Sequence, residues 1–256
     1  MRSPILIGYW TMVRKDLVRL FRIWSQTFLP PVVTMSLYFV IFGGFIGSQV
    51  AEISGFSYMQ FIVPGLVMMT LITSAYMQTV STFYFAKWLH VIDEVLVSPM
   101  PDWVVIAGYV TGGIMRAFIV GILVLIVSLL FTHIVIFNAF VIFAAAFLTS
   151  LLFSLAGLIN AIYAKSMDAI SIVPNFVLTP LTYLGGIFYS IDLLPPFFRT
   201  LSLFNPILYM VNAFRYGFLG VSDVSLWVSF AVMGGLSIAL LIVVMILFKR
   251  GVGLKT

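Results

Sequence analysis

The sequence predicts an all-α membrane protein with six transmembrane helices. Three observations carry that prediction. Only 8% of the 256 residues are charged, against about 25% in an ordinary soluble domain. Hydrophobic residues make up 62%, and the mean hydropathy is +1.19. The charges that exist are gathered into clusters, with long charge-free stretches between them. Thirteen basic and eight acidic side chains cannot clothe a soluble surface of this size. Disorder is excluded as well, because disordered chains are poor in apolar residues and rich in charge. With no cysteine, a disulfide-stapled scaffold is impossible.

The charge-free intervals define the spans. No Asp, Glu, Lys or Arg lies between Arg22 and Glu52, Glu52 and Lys87, Arg116 and Lys165, or Asp223 and Lys249. A helix of about 20 residues crosses roughly 30 Å of hydrocarbon, and each interval can hold one. The third interval is too long for one span and breaks near Thr132, His133 and Asn138. The predicted spans are 27–48, 58–82, 104–130, 138–163, 169–190 and 225–248. Arg2, Arg14, Lys15, Arg19, Arg22, Lys87, Lys165, Lys249, Arg250 and Lys255 fall on one side of that arrangement. Arg199 and Arg215 fall on the other. The positive-inside rule then puts both termini in the cytoplasm. The net charge of +5 reports topology and anionic headgroups, and no nucleic-acid motif accompanies it.

Three segments are not spans. Residues 4–24 form an amphipathic helix: Leu6, Trp10, Val13, Leu17, Leu20, Phe21 and Trp24 share one face. Lys15, Arg19 and Arg22 lie opposite. A Trp-bearing apolar face and a basic face suit a helix lying flat on the cytoplasmic surface; the alternative is a polar lead-in to span 1. Residues 83–101 form the longest cytoplasmic loop, with a short helix that stops before Pro99 and Pro101. Residues 191–220 are apolar but broken by Pro195, Pro196, Pro206, Arg199 and Arg215. Apolar runs of about 10–14 residues are read as interfacial or re-entrant. This outer loop is expected to form short helices that dip into the outer leaflet.

Chemistry is sparse. The histidines His90 and His133 are expected on opposite sides of the membrane, and there is no HExxH or GxxxxGK[ST] motif. Asp93 and Glu94 are adjacent, so on a helix they point apart. If transport is ATP-driven, a separate chain hydrolyses the ATP. No acid falls inside a predicted span, which weighs against an ion-coupled carrier. Arg116 is the one charge within a span; it either faces a substrate path or a dimer seam, or makes a structural bond. Gly43 and Gly47 in span 1, and Gly108 and Gly112 in span 3, permit close helix approach. Either packing within one chain or a subunit interface would use them.

Four blocks carry a family resemblance. The N-terminal helix runs into span 1 through Trp24-Ser25-Gln26-Thr27 and Pro30-Pro31. Span 2 opens with Tyr58-Met59-Gln60-Phe61-Ile62-Val63-Pro64-Gly65. The cytoplasmic loop carries Asp93-Glu94-Val95-Leu96-Val97-Ser98-Pro99. The longest block runs from Leu178 to Tyr189 (LTPLTYLGGIFY), followed by Leu194-Pro195-Pro196, Asn205-Pro206, Tyr209 and Arg215-Tyr216. Over nearly its whole length the chain resembles the ABC-2-type permeases, membrane subunits of bacterial ATP-binding-cassette exporters. The likeness is strongest to the small inner-membrane permeases that include nodulation-factor and antibiotic exporters.

The resemblance implies a homodimer of permeases working with two ATPase subunits in the inner membrane, with ATP and Mg on the ATPase and no cofactor on this chain. It makes residues 83–101 the coupling helix, with Asp93, Glu94, Leu96, Ser98 and Pro99 as ATPase contacts. The interfacial helix, through Trp10, Lys15, Arg19 and Arg22, also meets the ATPase. The re-entrant loop, with Pro195, Arg199, Asn205, Pro206, Tyr209 and Arg215, helps close the far side. One departure stands out: Trp88 to Ile92 is mostly apolar where family members often carry basic residues. The expected cargo is amphipathic, lipid-linked, glycan or drug-like. A proton-coupled or passive carrier, and a non-transporting membrane anchor, are the alternatives.

Overall fold

The computed structural model describes residues 4–47, 49, 52, 53 and 55–253. Arg2, Lys255 and the end of predicted span 1 at residue 48 lie outside them. The described residues are helical nearly throughout, with no strand beyond an isolated bridge between Ile53 and Phe56. Helix α1 covers Pro4–Arg22. Helix α2, Trp24–Tyr38, passes into π-helical turns over Phe39–Ile46. Then come α3 (Tyr58–Trp88), α4 (Val91–Val97), α5 (Asp102–Ser128) and α6 (Ala139–Tyr163). Helix α7 (Met167–Val173) continues through a π-helical turn, Pro174–Leu178, into α8 (Thr179–Tyr183). Short helices α9 (Pro196–Leu203) and α10 (Pro206–Leu219) precede α11 (Leu226–Arg250).

Among the described residues, five helical segments are long and apolar enough to cross a membrane: Trp24–Ile46, α3, α5, α6 and α11. Their centre is α3. In its most apolar window 83% of the residues are buried, against 11% for Trp24–Ile46 and 22% for α11. A helix covered on all sides has no reason to be amphipathic. The helices α5, α6 and α10 pack around α3, so α2 and α11 form the flanks.

Local chemistry sets the boundaries. Ser57 opens α3 with a capping box: its hydroxyl accepts from the Gln60 amide at 3.3 Å, and the Gln60 side chain accepts from the Ser57 amide at 3.1 Å. Each bond satisfies an amide that the first helical turn leaves without a partner. Asn138 caps α6 through the amides of Phe140 and Val141. Glycine ends α10 and α11: Gly220 (φ 73°) and Gly251 (φ 63°) adopt the left-handed conformation that stops a helix at low steric cost.

Two predicted segments differ in extent. The loop proposed over 83–101 begins as a continuation of α3 through Trp88, and its separate helix is only Val91–Val97. The break is His90, whose φ of 56° makes it the one described non-glycine residue in the left-handed region. The segment 169–190 is helical only to Tyr183. Pro174 and Pro180 lack the amide hydrogen an α-helix needs, and tight turns follow over Leu184–Gly186.

Candidate functional site

The helices gather basic groups at one end of the bundle. Lys87, at the end of α3, reaches the end of α6 and donates to the carbonyls of Ala161, Ile162 and Ala164 at 3.3, 2.8 and 2.9 Å. Those carbonyls have no helical partner of their own, so a buried ammonium among them is well placed. Gly253 lies against the Ile162 carbonyl, which brings the end of α11 to the same place. Helix α1 seats on the N-terminal half of α5.

The short helix α4 sits between α3 and α5 at this end. Ile92 is its buried anchor, and Leu96 is half-buried against the core. Asp93 and Glu94 are exposed. Asp93 lies 3.2 Å from the His90 ring. The Ser98 hydroxyl donates to the Val95 carbonyl and helps end the helix ahead of Pro99, which is exposed. Val97, at the tip, is 87% exposed, and Trp88 and Leu89 beside the helix are exposed as well. Charge had drawn attention to Asp93 and Glu94. The sequence alone does not mark Val97, the last of the apolar run Val95-Leu96-Val97, as the exposed tip.

Helix α1 divides its predicted apolar face, burying Val13 and Leu20 and leaving Leu6, Trp10 and Phe21 exposed. Gly8, Tyr9, Met12 and Asp16 also face the protein, and Trp24, predicted as the end of this helix, instead opens α2 and is exposed. Lys15 and Arg22 are exposed, and the Arg19 guanidinium lies 5.4 Å from the Phe85 ring centre. Gly108 and Gly112 are the seat: Met12 fills the space over Gly108, and the Asp16 carboxylate fills the space over Gly112. The small-residue pair therefore packs within one chain. Gly43 does likewise, against Met59 of α3. Burial pushes the Asp16 carboxyl up to about 6, against the downward pull of Lys15 and Arg19. Sequence reasoning missed Asp16, because a lone acid in a basic helix reads as part of its wet face.

Arg116 is half-buried. It donates to Gln78 Oε1 at 3.2 Å, and Gln78 donates to the Thr82 hydroxyl at 3.1 Å. A polar string thus crosses from α5 to α3. Nearer the opposite end, α3, α5, α6 and α10 border an apolar cleft of about 630 Å³, lined by Leu71, Phe118, Ile122, Phe143 and Phe214 among others.

At that opposite end the outer-loop residues do structural work. Arg215 is 1% exposed and is among the largest fully buried side chains. The sequence had set it among loop charges. Its guanidinium donates to the Gly186 carbonyl at 2.6 Å, stacks 3.8 Å from the Phe61 ring centre and lies 4.0 Å from Asp223. Asn205 caps α10 through the Ile207 amide and donates to the Leu181 carbonyl at 2.6 Å. Pro206 occupies the first helical position, where its missing amide hydrogen costs nothing. Tyr209 donates to the Leu203 carbonyl, and Pro195 sits at the start of α9. Arg199 pairs with Asp192 at 2.8 Å on the surface. Phe42, Phe188 and Tyr183 stack nearby, and Tyr38 and Tyr183 share a hydrogen bond at 3.0 Å. These rings close helix seams.

A profile of the ABC-2 type transporter family matches residues 8–219, from the seated helix through α10. The chain belongs to the ABC-2 type transporter family. This permease is 51% identical over 252 residues to the inner membrane transport permease YadH of Escherichia coli K12, covering 97% of this chain and 98% of that one. It is 23% identical over 188 residues to nodulation protein J of Rhizobium leguminosarum bv. viciae, covering 72% and 71%. With nodulation protein J of Neorhizobium galegae the figure is 20% over 224 residues, 86% of each chain. The ABC-2 chain is thus a multi-pass membrane protein of permease type. Family members generally work with an ATPase.

Proposed function

We propose that this permease is the membrane subunit of an ATP-driven exporter of the bacterial inner membrane, acting as a homodimer with two ATPase subunits. The observation that carries the reading is α4: a short helix at the basic end, with Asp93, Glu94 and Val97 turned outward, on a family chain with no P-loop of its own. An apolar tip beside two acids suits insertion into a groove of a soluble partner. Ile92 and Leu96 hold that helix against the bundle, and Ser98 and Pro99 end it. Helix α1 offers a second contact through Lys15 and Arg22, with Trp10 at the headgroup level.

The broken run Met167–Tyr183 serves as a sixth crossing. Its length at about 1.5 Å per residue is close to 25 Å, and the Ile170 carbonyl that Pro174 leaves free accepts from the Asn160 side chain of α6 at 3.3 Å. Both termini are then cytoplasmic, in keeping with the basic end. Helices α9 and α10 re-enter from outside, held by Arg215, Asn205 and Tyr209, and help seal the outer end.

Transport follows from linked states. ATP binding on the partner favours one arrangement of α4, and α4 is joined by short turns to α3 and α5. ATP drives cargo outward only by the difference in its affinity for the two states. The apolar cleft beside Phe118 and Phe214 supports a cargo with a hydrocarbon portion: lipid-linked, glycolipid or amphipathic drug-like.

Affinity purification of the tagged permease from its native host in mild detergent, with mass spectrometry and an ATPase assay, tests this. A near-stoichiometric P-loop partner with vanadate-sensitive turnover is expected. A clean homo-oligomer with no nucleotide-binding partner, in detergent that preserves other complexes, sinks the proposal and favours a carrier.

A further inference from the structure

The seam between α1 and α5 contains a feature that packing alone does not call for. Tyr9 and Thr111 share a hydrogen bond at 2.9 Å, Met12 covers Gly108, and Met100 lies against Gly8. Among these contacts sits a carboxylate. Asp16 is 4% exposed, and no hydrogen bond reaches it from the described residues. Its oxygen is so close to α5 that a Cβ on Gly112 would lie 2.5 Å away. Beside it is a cavity of about 290 Å³, bordered by Lys15, Asp16, Tyr109, Met100 and, from α4, Val91 and Val95. A buried carboxylate without partners is costly in its charged form and cheap in its neutral form.

We propose that Asp16 is a positioning residue whose protonation sets the docking of α1 on α5 beside α4: neutral Asp16 closes the seam over Gly112, and ionised Asp16 loosens it and wets the neighbouring cavity. The groups that face Asp16 fit this role. Lys15 and Arg19 on its own helix favour the charged form, and burial overrides them. From α5 come the Tyr109 phenol at the cavity and, one turn beyond Gly112, Arg116. From α4 only Val91 and Val95 border the cavity; Asp93 and Glu94 are turned to the outside. No cation in direct hydrogen-bond contact holds Asp16 ionised while it is seated.

The sign and size follow from linkage. Seated, the carboxyl titrates near 6; released, it returns toward its ordinary value of 3.8. The seated form is therefore most favoured below about pH 4, and that advantage is lost as pH rises through 6. Between pH 5 and 7.5 the opening equilibrium of the seam is expected to rise about tenfold. The consequence for coupling rests on the exporter reading. The seam itself does not, and the test below uses the permease alone.

Hydrogen exchange of α1 amides in the full-length permease in lipid nanodiscs measures the opening. Rates are divided by the intrinsic rate at each pH, and wild type is compared with Asp16→Asn. The expected result is an approximately tenfold fall in wild-type protection between pH 5 and 7.5, with a flat profile in D16N. The same pH profile in both proteins overturns the proposal. As a check independent of the acid, Gly112→Ala is expected to lower α1 protection at pH 5 by pushing Asp16 off its seat. Unchanged protection there also overturns it. A missing ATPase partner leaves these outcomes untouched.

Discussion

A guanidinium that is stacked on an aromatic ring, bonded to a carbonyl and buried away from water is expensive to remove. Arg215 ties α10 to the Gly186 turn and to Phe61 of α3. Truncating one partner of such a buried arrangement leaves the others unsatisfied. Asp223 keeps its bonds to the Ser190 hydroxyl and the Ile191 amide, so the loss sits at the low end of the usual range. Arg215→Met is expected to cost about 3 kcal/mol, read as a lower melting temperature of the detergent-solubilised permease. Arg215→Lys is expected to recover only part, because an ammonium cannot both stack flat on Phe61 and reach Gly186. A wild-type melting temperature in the Met variant would show that the stack adds nothing. By contrast, Arg199 and Asp192 form an exposed pair, and such a pair is worth about 0–1 kcal/mol.

At the scale of elements, closeness of approach decides which glycines matter. A Cβ on Gly157 of α6 would lie 2.7 Å from the Tyr76 carbonyl of α3, which is backbone and cannot step aside. On Gly235 of α11 it would meet nothing within 4 Å. Gly157→Ala is expected to destabilise by about 1–3 kcal/mol, while Gly235→Ala is neutral or stabilising by up to about 1 kcal/mol. Thermal unfolding of both variants side by side checks this, and equal melting temperatures would refute it. For α4, Glu94→Arg is expected to impair ATPase stimulation by the assembled complex while membrane insertion stays normal. Wild-type coupling in that variant removes Glu94 from the contact. The caps at Ser57 and Gly220 emerge from the structure, while the boundaries at Asn138 and Pro99 were visible in the sequence, because those residues act on their own neighbours. The break at His90 was not. A histidine at positive φ is uncommon enough that the sequence does not announce it; the packing of Ile92 and Leu96 and the Asp93 carboxylate 3.2 Å from the ring help hold it there.

For the whole molecule, the two ends differ in kind. One collects α1, α4, Lys87 and the end of α11; the other collects the Gly186 turn, Arg215 and the α5–α6 loop. The absence of native cysteine makes the arrangement directly testable. Val97→Cys is expected to react with a membrane-impermeant thiol reagent only in inside-out vesicles. His133→Cys, in the exposed loop after α5, is expected to react only in intact spheroplasts. Labelling of both from the same side would contradict the crossing pattern. An odd number of crossings between them, through α5, is the physical reason for the contrast.

What the sequence determined by itself was the membrane class, the charge-free helices and a few of their ends, such as Asn138 and Pro99. Transfer of an apolar segment into hydrocarbon is additive along the chain, and a cap acts over three or four residues, so both are local. The same locality exposed the family blocks. Tertiary structure alone decided which side of α1 is covered, since Gly108 and Gly112 lie far along the chain from Met12 and Asp16. It also decided that Arg215 is buried, that Lys87 serves the carbonyls of another helix, and that Gly43, Gly108 and Gly112 pack inside one chain. Each of these depends on two distant segments meeting, and a hydropathy pattern carries no record of which partner a face will find. Asp16 is the sharpest case: it reads as one more solvated charge until α5 closes over it.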